Sequence, residues 1–284
     1  MIRKAVIPAA GLGLRLLSAT KGQPKEMLPL FVKNHDGETR LKPLLQLVFE
    51  SLYDAGVREF CFVVGRGKRV VEDFFTPDDS FVKQLRSKNR STLAHELSCF
   101  YEKLRNSVVM FVNQPEPRGF GDAVHRVRTF TNGECFLVHA GDDLIVSKRR
   151  NHLARLLNIF KIYDADVAFF VEKVKDPSQY GVIKGTEVDS KIYKVDDIVE
   201  KPAIPPSNMA IVGIYIFTDK IFGAIEQIKP DENGEIQLTN AIQKLVDEKR
   251  KVYSLELMRD ERRVDIGTPE SYWKALKTVR KSYR

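Results

Sequence analysis

Two glycines and two cations near the start of the chain could hold a polyphosphate. The segment reads Lys4-Ala-Val-Ile-Pro-Ala-Ala-Gly-Leu-Gly-Leu-Arg15, followed by Lys21-Gly-Gln-Pro-Lys25-Glu-Met-Leu-Pro-Leu30. An apolar strand runs into a turn where Gly11 and Gly13 let the backbone approach a ligand and expose N–H donors. Arg15 and Lys25 add fixed positive charge to the same loop. A dinucleotide fingerprint would need a third glycine for close helix–strand packing. Leu16 stands in that position, and Pro24 and Pro29 break the helix that should follow. Asp36 lies near the distance expected of a ribose-binding acid, but Asn34-His-Asp-Gly37 is a turn signal and not a strand end.

Four further constellations carry chemistry. In Gln114-Pro-Glu-Pro-Arg-Gly119-Phe-Gly121, the Gln114 carboxamide offers a donor and an acceptor, which matches the imide edge of a pyrimidine. Gly119 and Gly121 allow flat approach of a base; read alone, the segment is a plain Pro/Gly loop. Asp142 in His139-Ala-Gly-Asp-Asp143 and Asp265 in Val264-Asp-Ile-Gly-Thr268 are distant carboxylates. Converging on one Mg²⁺, they would neutralise charge on a transferring phosphoryl group; singly, each suits a turn or cap. In Val199-Glu-Lys-Pro202, Glu200 could accept hydroxyl hydrogen bonds and Lys201 could hold a phosphate. The simpler alternative is a surface ion pair before a linker. Gly181, in Tyr180-Gly-Val182, marks close ligand approach within a strand.

Elements that could position these groups follow from periodicity. Apolar runs at Ala5–Pro8, Phe60–Val64, Val108–Val112, Phe136–His139 and Val167–Val171 read as buried strands. Helical patterns separate them at Lys42–Ala55, Arg66–Phe75, Phe81–Leu104 (broken near Asn89), Gly121–Phe130 and Arg149–Tyr163. This alternation predicts an α/β fold: a Rossmann-like, mixed, mostly parallel central sheet flanked by helices. Ligands bind such sheets at the carboxyl ends of strands, where the Gly11 loop falls. After Asp176 the pattern changes. Tyr180–Lys184 and Ile192–Val195 read as short strands with turns at Gly185 and Asp189, and Pro202, Pro205 and Pro206 form a stiff linker. Ile211–Phe217 and Val252–Leu257 read as strands. Ile236–Glu248 reads as a helix with Gln237, Asn240 and Gln243 facing out, and Thr268-Pro269 starts a last helix. The later strands would build a smaller lobe. One domain is expected over 1–284, with one half to about 175 that carries the Gly11 loop and a C-terminal half over about 176–284.

Composition narrows the class. At 284 residues, 43% hydrophobic and 30% charged, the chain can bury a core without staples. A formal charge of +8 permits nucleic acid, acidic lipid or phosphate-bearing substrates. The basic runs Lys148-Arg-Arg150, Lys249-Arg-Lys251 and Arg262-Arg263 read as solvated helix ends and loops, with no aromatic-interleaved stripe for single-stranded nucleic acid. Cys61, Cys99 and Cys135 form no metal spacing, and Cys61 and Cys135 suit buried free thiols of a reducing cytoplasm. No run approaches a membrane span, and Pro8, Gly11, Gly13 and Arg15 spoil a signal peptide.

In combination and order these segments resemble the sugar-1-phosphate nucleotidylyltransferases, most closely the bacterial-type UTP–glucose-1-phosphate uridylyltransferases. The carriers run from Lys4 to about Leu276. They include the Gly11 loop, Pro24-Lys-Glu-Met-Leu-Pro29, Gln114 with Gly119, Asp142, Tyr180-Gly-Val182, Glu200-Lys-Pro202, Ser207-Asn-x-Ala-Ile-Val-Gly213, Gly234-Glu-Ile-Gln-Leu-Thr239 and Asp265-x-Gly267. The resemblance implies contacts from Ala10, Gly11 and Gly13 to the nucleotide and base reading by Gln114 and Gly119. Arg15 and Lys25 would grip the triphosphate, and Asp142 and Asp265 would hold Mg²⁺. Gly181, Glu200 and Gly213 would contact the hexose, and Lys201 its phosphate. It further implies UTP and glucose 1-phosphate as substrates, a homo-oligomer (dimer or tetramer), a cytoplasmic setting, and no nucleic-acid or membrane partner. Leu14 departs from the usual Thr, while Gln114-Pro-x-Pro and Gly141-Asp142 look like the thymidylyltransferase branch, which leaves dTTP as an alternative or additional substrate. A non-catalytic nucleotide-sugar-binding regulator is the alternative from another class.

Overall fold

The apolar runs of the first half all become strands. The computed structural model describes residues 2–34, 36–147, 149 and 151–282. The strands of the first part are β1 (Lys4–Ala9), β2 (Pro29–Lys33), β3 (Thr39–Pro43), β4 (Glu59–Gly65), β5 (Val108–Gln114), β6 (Phe136–His139), β7 (Asp143–Val146) and β8 (Val167–Lys173). The remainder contributes β9 (Gly181–Asp189), β10 (Ile192–Glu200), β11 (Met209–Phe217), β12 (Val252–Glu256) and β13 (Arg262–Asp265). Nine of them form one mixed sheet in the order β5-β4-β1-β6-β11-β8-β12-β10-β9. Strands β5, β4, β1 and β6 run parallel; β11 lies antiparallel between β6 and β8.

Alternate residues of each strand face opposite layers, as the period of two requires. Ala5, Ile7, Phe60 and Phe62 pack on one side with the helices Leu44–Asp54, Ser91–Arg105 and His152–Ile162. Val6, Cys61, Val63 and Val138 pack on the other with Gly119–His125, Lys220–Gln227 and Leu238–Asp247. Because β1 is buried on both faces and flanked by β4 and β6, its carboxyl end is a fixed platform for the glycine loop.

Several expectations shift. The later strands build the second part of the chain as expected, as the far half of the same continuous sheet, while local details differ. The hairpin strands β9 and β10 reach nine residues each, and Gly185 lies inside β9 and not in the turn. A Cβ there would meet the Lys194 carbonyl at 2.6 Å, so glycine serves strand approach and not chain reversal. Two short ribbons, β2–β3 and β7–β13, were not predicted. Their strands are four or five residues long and mix polar with apolar types, too little for a periodic signal. Between β2 and β3 the Asn34 N–H donates to Glu38 O at 3.0 Å; His35 of the expected turn lies outside the described residues. The break near Asn89 is present, with Asn89 left-handed at φ 57° between the helices Asp79–Ser87 and Ser91–Arg105. The last helix starts as predicted: the Ser271 N–H donates to Thr268 Oγ1 at 3.1 Å, and the Thr268 N–H donates to Ser271 Oγ at 2.9 Å. Cys61 is buried and free; Cys135 is free but only half-buried. Lys148 and Arg150 of the first basic run lie outside the described residues. No helix among the described residues is long and apolar enough to cross a membrane.

Candidate active site

The carboxyl end of β1 delivers Ala10 and Gly11 to the edge of an open cavity of about 420 Å³. Gly65, at the end of β4, permits this path, since a Cβ there would lie 2.9 Å from Ala10 O. Gly13 is left-handed at φ 62°, and the chain then enters a single turn over Leu14–Leu16. The Thr20 hydroxyl lies 3.0 Å from the Gly13 and Leu16 carbonyls and closes the loop on itself. Arg15 stands exposed at the cavity and makes no ion pair among the described residues.

Lys25 sits on a second single turn, Lys25–Met27, set by Pro24. Its ammonium is paired with Asp142, which follows β6. Burial alone would push Lys25 down; the carboxylates of Asp142, Glu26 and Asp265 more than reverse this, so its pKa is raised and it remains a cation. Beside it, Glu26 is buried, and burial pushes its carboxyl up to about 7 against the pull of Lys68 and Lys25. Lys68 Nζ lies 3.7 Å from Glu26 Oε2 and donates to Gly11 O at 2.6 Å. The glycine loop is thus fastened from below by a lysine of the next strand–helix turn.

A further wall of the cavity comes from the end of β5. Gln114 Nε2 donates to Gly119 O at 3.1 Å and to Asp122 Oδ2 at 2.7 Å, so its carbonyl is the group left to accept. Gly119 is left-handed at φ 91°, and a Cβ there would meet Ile236 O at 2.8 Å.

The two acids of the metal proposal come together through the β7–β13 ribbon. Asp265 is opposite Asp143 in register, next to Asp142. Burial, then Asp143 and Asp142, push the Asp265 carboxyl up to about 6. Asp142 goes the other way: burial opposes its charge, but Lys25 holds it below the usual carboxylate range. Asp143 is committed elsewhere, accepting from Arg263 at 2.8 and 2.9 Å and from the Gly213 N–H at 2.9 Å.

At the far half of the sheet, Gly181 and Glu200 are partners across β9 and β10. Glu200 Oε2 accepts from the Thr239 hydroxyl at 2.7 Å, and Lys201 Nζ lies 3.2 Å from Glu200 Oε1, so the simple ion pair also exists. Gly213, in the middle of β11, donates its N–H to Asp143 and accepts from the Ala140 N–H at 2.7 Å.

The structure therefore brings Ala10, Gly11, Gly13, Arg15, Lys25, Gln114, Gly119 and Asp142 into one cavity. Gly181, Glu200, Lys201 and Gly213 do not line it. Asp265 lines a second cavity of about 440 Å³ with Tyr180 and Arg263. Sequence reasoning missed Glu26, Lys68, Glu235 and Thr239. The Lys68 signal was present, because Gly65-Arg-Gly67-Lys68 repeats the strand-then-glycine pattern of the first loop.

Comparison with known proteins places the chain in a family. The nucleotidyl transferase family profile matches residues 4–282. A putative UTP–glucose-1-phosphate uridylyltransferase of Bacillus subtilis is 36% identical over 278 residues, 97% of this chain and 96% of that protein. An apo UDP-glucose pyrophosphorylase structure superposes with a TM-score of 0.89 at 31% identity, covering 100% of both chains. A UTP-bound enzyme of this type from Acinetobacter baumannii has a TM-score of 0.84 at 29% identity, covering 98% of this chain and 93% of that one.

Proposed function

We propose, for a chain that belongs to the nucleotidyl transferase family, that it transfers a uridylyl group from UTP to glucose 1-phosphate. A phosphate oxygen of the sugar phosphate attacks the α-phosphorus in line. The bond to the bridging oxygen breaks, pyrophosphate leaves and UDP-glucose forms. The observation that carries this reading is the cavity where Gly11, Gly13, Arg15 and Lys25 meet Gln114, Gly119 and Asp142. A phosphate grip and a base reader face the same space.

Each residue has work that its surroundings support. Gln114, with both amide hydrogens engaged, accepts the imide N–H of the base. Ala10 and Gly11 offer backbone groups to base and ribose. Lys25, kept protonated by its acidic neighbours, and Arg15, without an ion pair among the described residues, stabilise charge gathering on the α-phosphate and the leaving pyrophosphate. Gly181, Glu200 and Gly213 meet the hexose, and Lys201 its phosphate. The attacking group is already anionic, so no general base is needed. This agrees with His139 and His152, whose burial pushes both below the usual histidine range and makes them packing groups.

Asp142 and Asp265 suit a hard divalent cation. They are close enough for their charges to repel, and Asp265 is raised first by its burial, then by Asp143 and by Asp142. They would hold Mg²⁺, which when bound neutralises charge on phosphate oxygens.

The test is a matrix of nucleoside triphosphates against sugar 1-phosphates, followed by pyrophosphate release. UTP with glucose 1-phosphate should give the highest turnover. A strong preference for ATP, CTP or GTP, or binding without pyrophosphate release, would overturn the reading. Thymine differs from uracil by one methyl, which a pocket discriminates by only about 1–3 kcal/mol, so dTTP should be accepted at reduced efficiency.

A further inference from the structure

Glu200 is held from its buried side by a segment that also supports the base-reading loop. The Gly234–Thr239 motif is anchored by Asp231, whose carboxylate accepts from the Asn233 and Glu235 N–H groups at 2.9 Å each. The segment then pairs with the base loop. The Ile236 N–H donates to Arg118 O at 2.8 Å, and the Gly121 N–H donates to Ile236 O at 2.8 Å. Gly121 has to be glycine for this contact, since a Cβ would lie 2.7 Å from the same carbonyl.

Without interruption the chain enters the helix Leu238–Asp247, whose first turn carries buried Thr239. Its hydroxyl donates to Glu200 Oε2 at 2.7 Å. One turn later, Gln243 Oε1 accepts the Ile198 N–H at 2.7 Å, two residues before Glu200 on β10. Gln243 was expected to face solvent; it is instead a side-chain partner for a strand. The reason lies in the sheet: β12 pairs with β10 only over Ile192–Lys194, so the edge beyond needs another partner. Thr239 and Gln243, four apart, lie on one helix face and fasten one stretch of β10. Glu200 has little freedom there. A Cβ on its partner Gly181 would come within 3.1 Å of Thr239 Oγ1 and 3.2 Å of Glu200 Oε2.

We propose that Thr239 is a positioning residue for the sugar-binding carboxylate, and that Ile236–Gln243 is a strut fixing Glu200 relative to the base loop. Thr239 does not line the cavity and acts through Glu200. Among the described residues it supplies the one hydrogen bond to the Glu200 carboxylate from the protein interior, while the opposite oxygen meets the exposed ammonium of Lys201. Removing the hydroxyl leaves Glu200 free to turn toward Lys201, and the loss falls on sugar recognition and not on nucleotide binding.

The role rests on the uridylyl-transfer reading, and the experiment separates the two. Thr239→Val keeps the side-chain volume and removes the hydroxyl. KM for glucose 1-phosphate should rise about tenfold, the size expected for one hydrogen bond to a charged group. KM for UTP should be unchanged, and Thr239→Ser should restore the sugar-phosphate KM. A rise in both KM values in parallel, an unmoved sugar-phosphate KM, or failure of the serine variant to restore it would overturn the positioning role. Absence of turnover by the wild-type chain with this substrate pair would overturn the function itself, and this role with it.

Discussion

At the carboxyl end of β1 the two lysines beneath the glycine loop are held by carboxylates. Lys25 pairs with Asp142, and Lys68 stands between Glu26 and the Gly11 carbonyl. They sit on loops and single turns that leave parallel strands. At the β9–β10 end, the groups expected to meet the sugar are carried on antiparallel strands. They are placed by a hydroxyl, an amide and two glycines that admit close approach: Thr239, Gln243, Gly181 and Gly213. The contrast follows from the chemistry that the proposed reaction asks of each end. A triphosphate changes charge during reaction, so cations near it have to be kept ionised by acidic neighbours. A hexose presents neutral hydroxyls of fixed direction, so its acceptor has to be aimed.

Variants can break that comparison, and the charged end should respond most. Lys25→Ala should lower kcat by about a thousandfold while the protein stays folded, the upper range for removing one transition-state donor. Near-normal turnover would remove Lys25 from the chemistry. Asp265→Asn should lower turnover on the order of a hundredfold and weaken the dependence on divalent cations. Full activity in the presence of chelator would refute the two-carboxylate site.

The neutral end should answer through recognition. Gly181→Ala crowds Thr239 and Glu200 and should raise KM for the sugar phosphate about tenfold, an overpacking cost of about 1–3 kcal/mol, with KM for UTP unchanged. Equal loss on both substrates would mean that the two ends are not separable.

The smallest effect is a pH dependence of stability at the charged end. Glu26 ionises near 4.5 when exposed and near 7 in the fold, so between these values the folded state keeps a proton that the unfolded chain has lost. Its contribution is present below about pH 4.5 and lost as pH rises through 7. Glu26→Gln should therefore gain unfolding free energy over the wild type across that window, by up to about 3 kcal/mol. A difference independent of pH would show that burial does not hold the proton on Glu26.

Much of the charged end was legible in the sequence because its signals are local. An apolar strand ending in Gly11-Leu-Gly13, a proline-set Lys25, and Gln114 at the end of another apolar run each declare themselves within a few residues. The neutral end was less legible. Glu200, Gly181 and Gly213 were selected largely through a family likeness, and Thr239 and Gln243 had no recognised role of their own. A hydroxyl on a helix carries no sign of the carboxylate it will meet. Strands β7 and β13 went unrecognised for a related reason: four residues each, they exist because they pair with one another across more than a hundred positions.

The sequence by itself determined which stretches would be buried, since alternating apolar and amphipathic segments leave the chain few ways to cover its core. It also determined the inventory of chemical groups: a glycine loop with two cations, a carboxamide at a strand end, and distant carboxylates. Only the tertiary structure decided which of these meet. The Glu200–Thr239, Lys68–Gly11, Lys25–Asp142 and Arg263–Asp143 contacts span 39, 57, 117 and 120 residues. Contacts at such separations depend on strand order and register, which local residue types do not encode. The order that inserts β11 between β6 and β8 is what carries Gly213 to Asp143 and ties the far half of the sheet to the loop end.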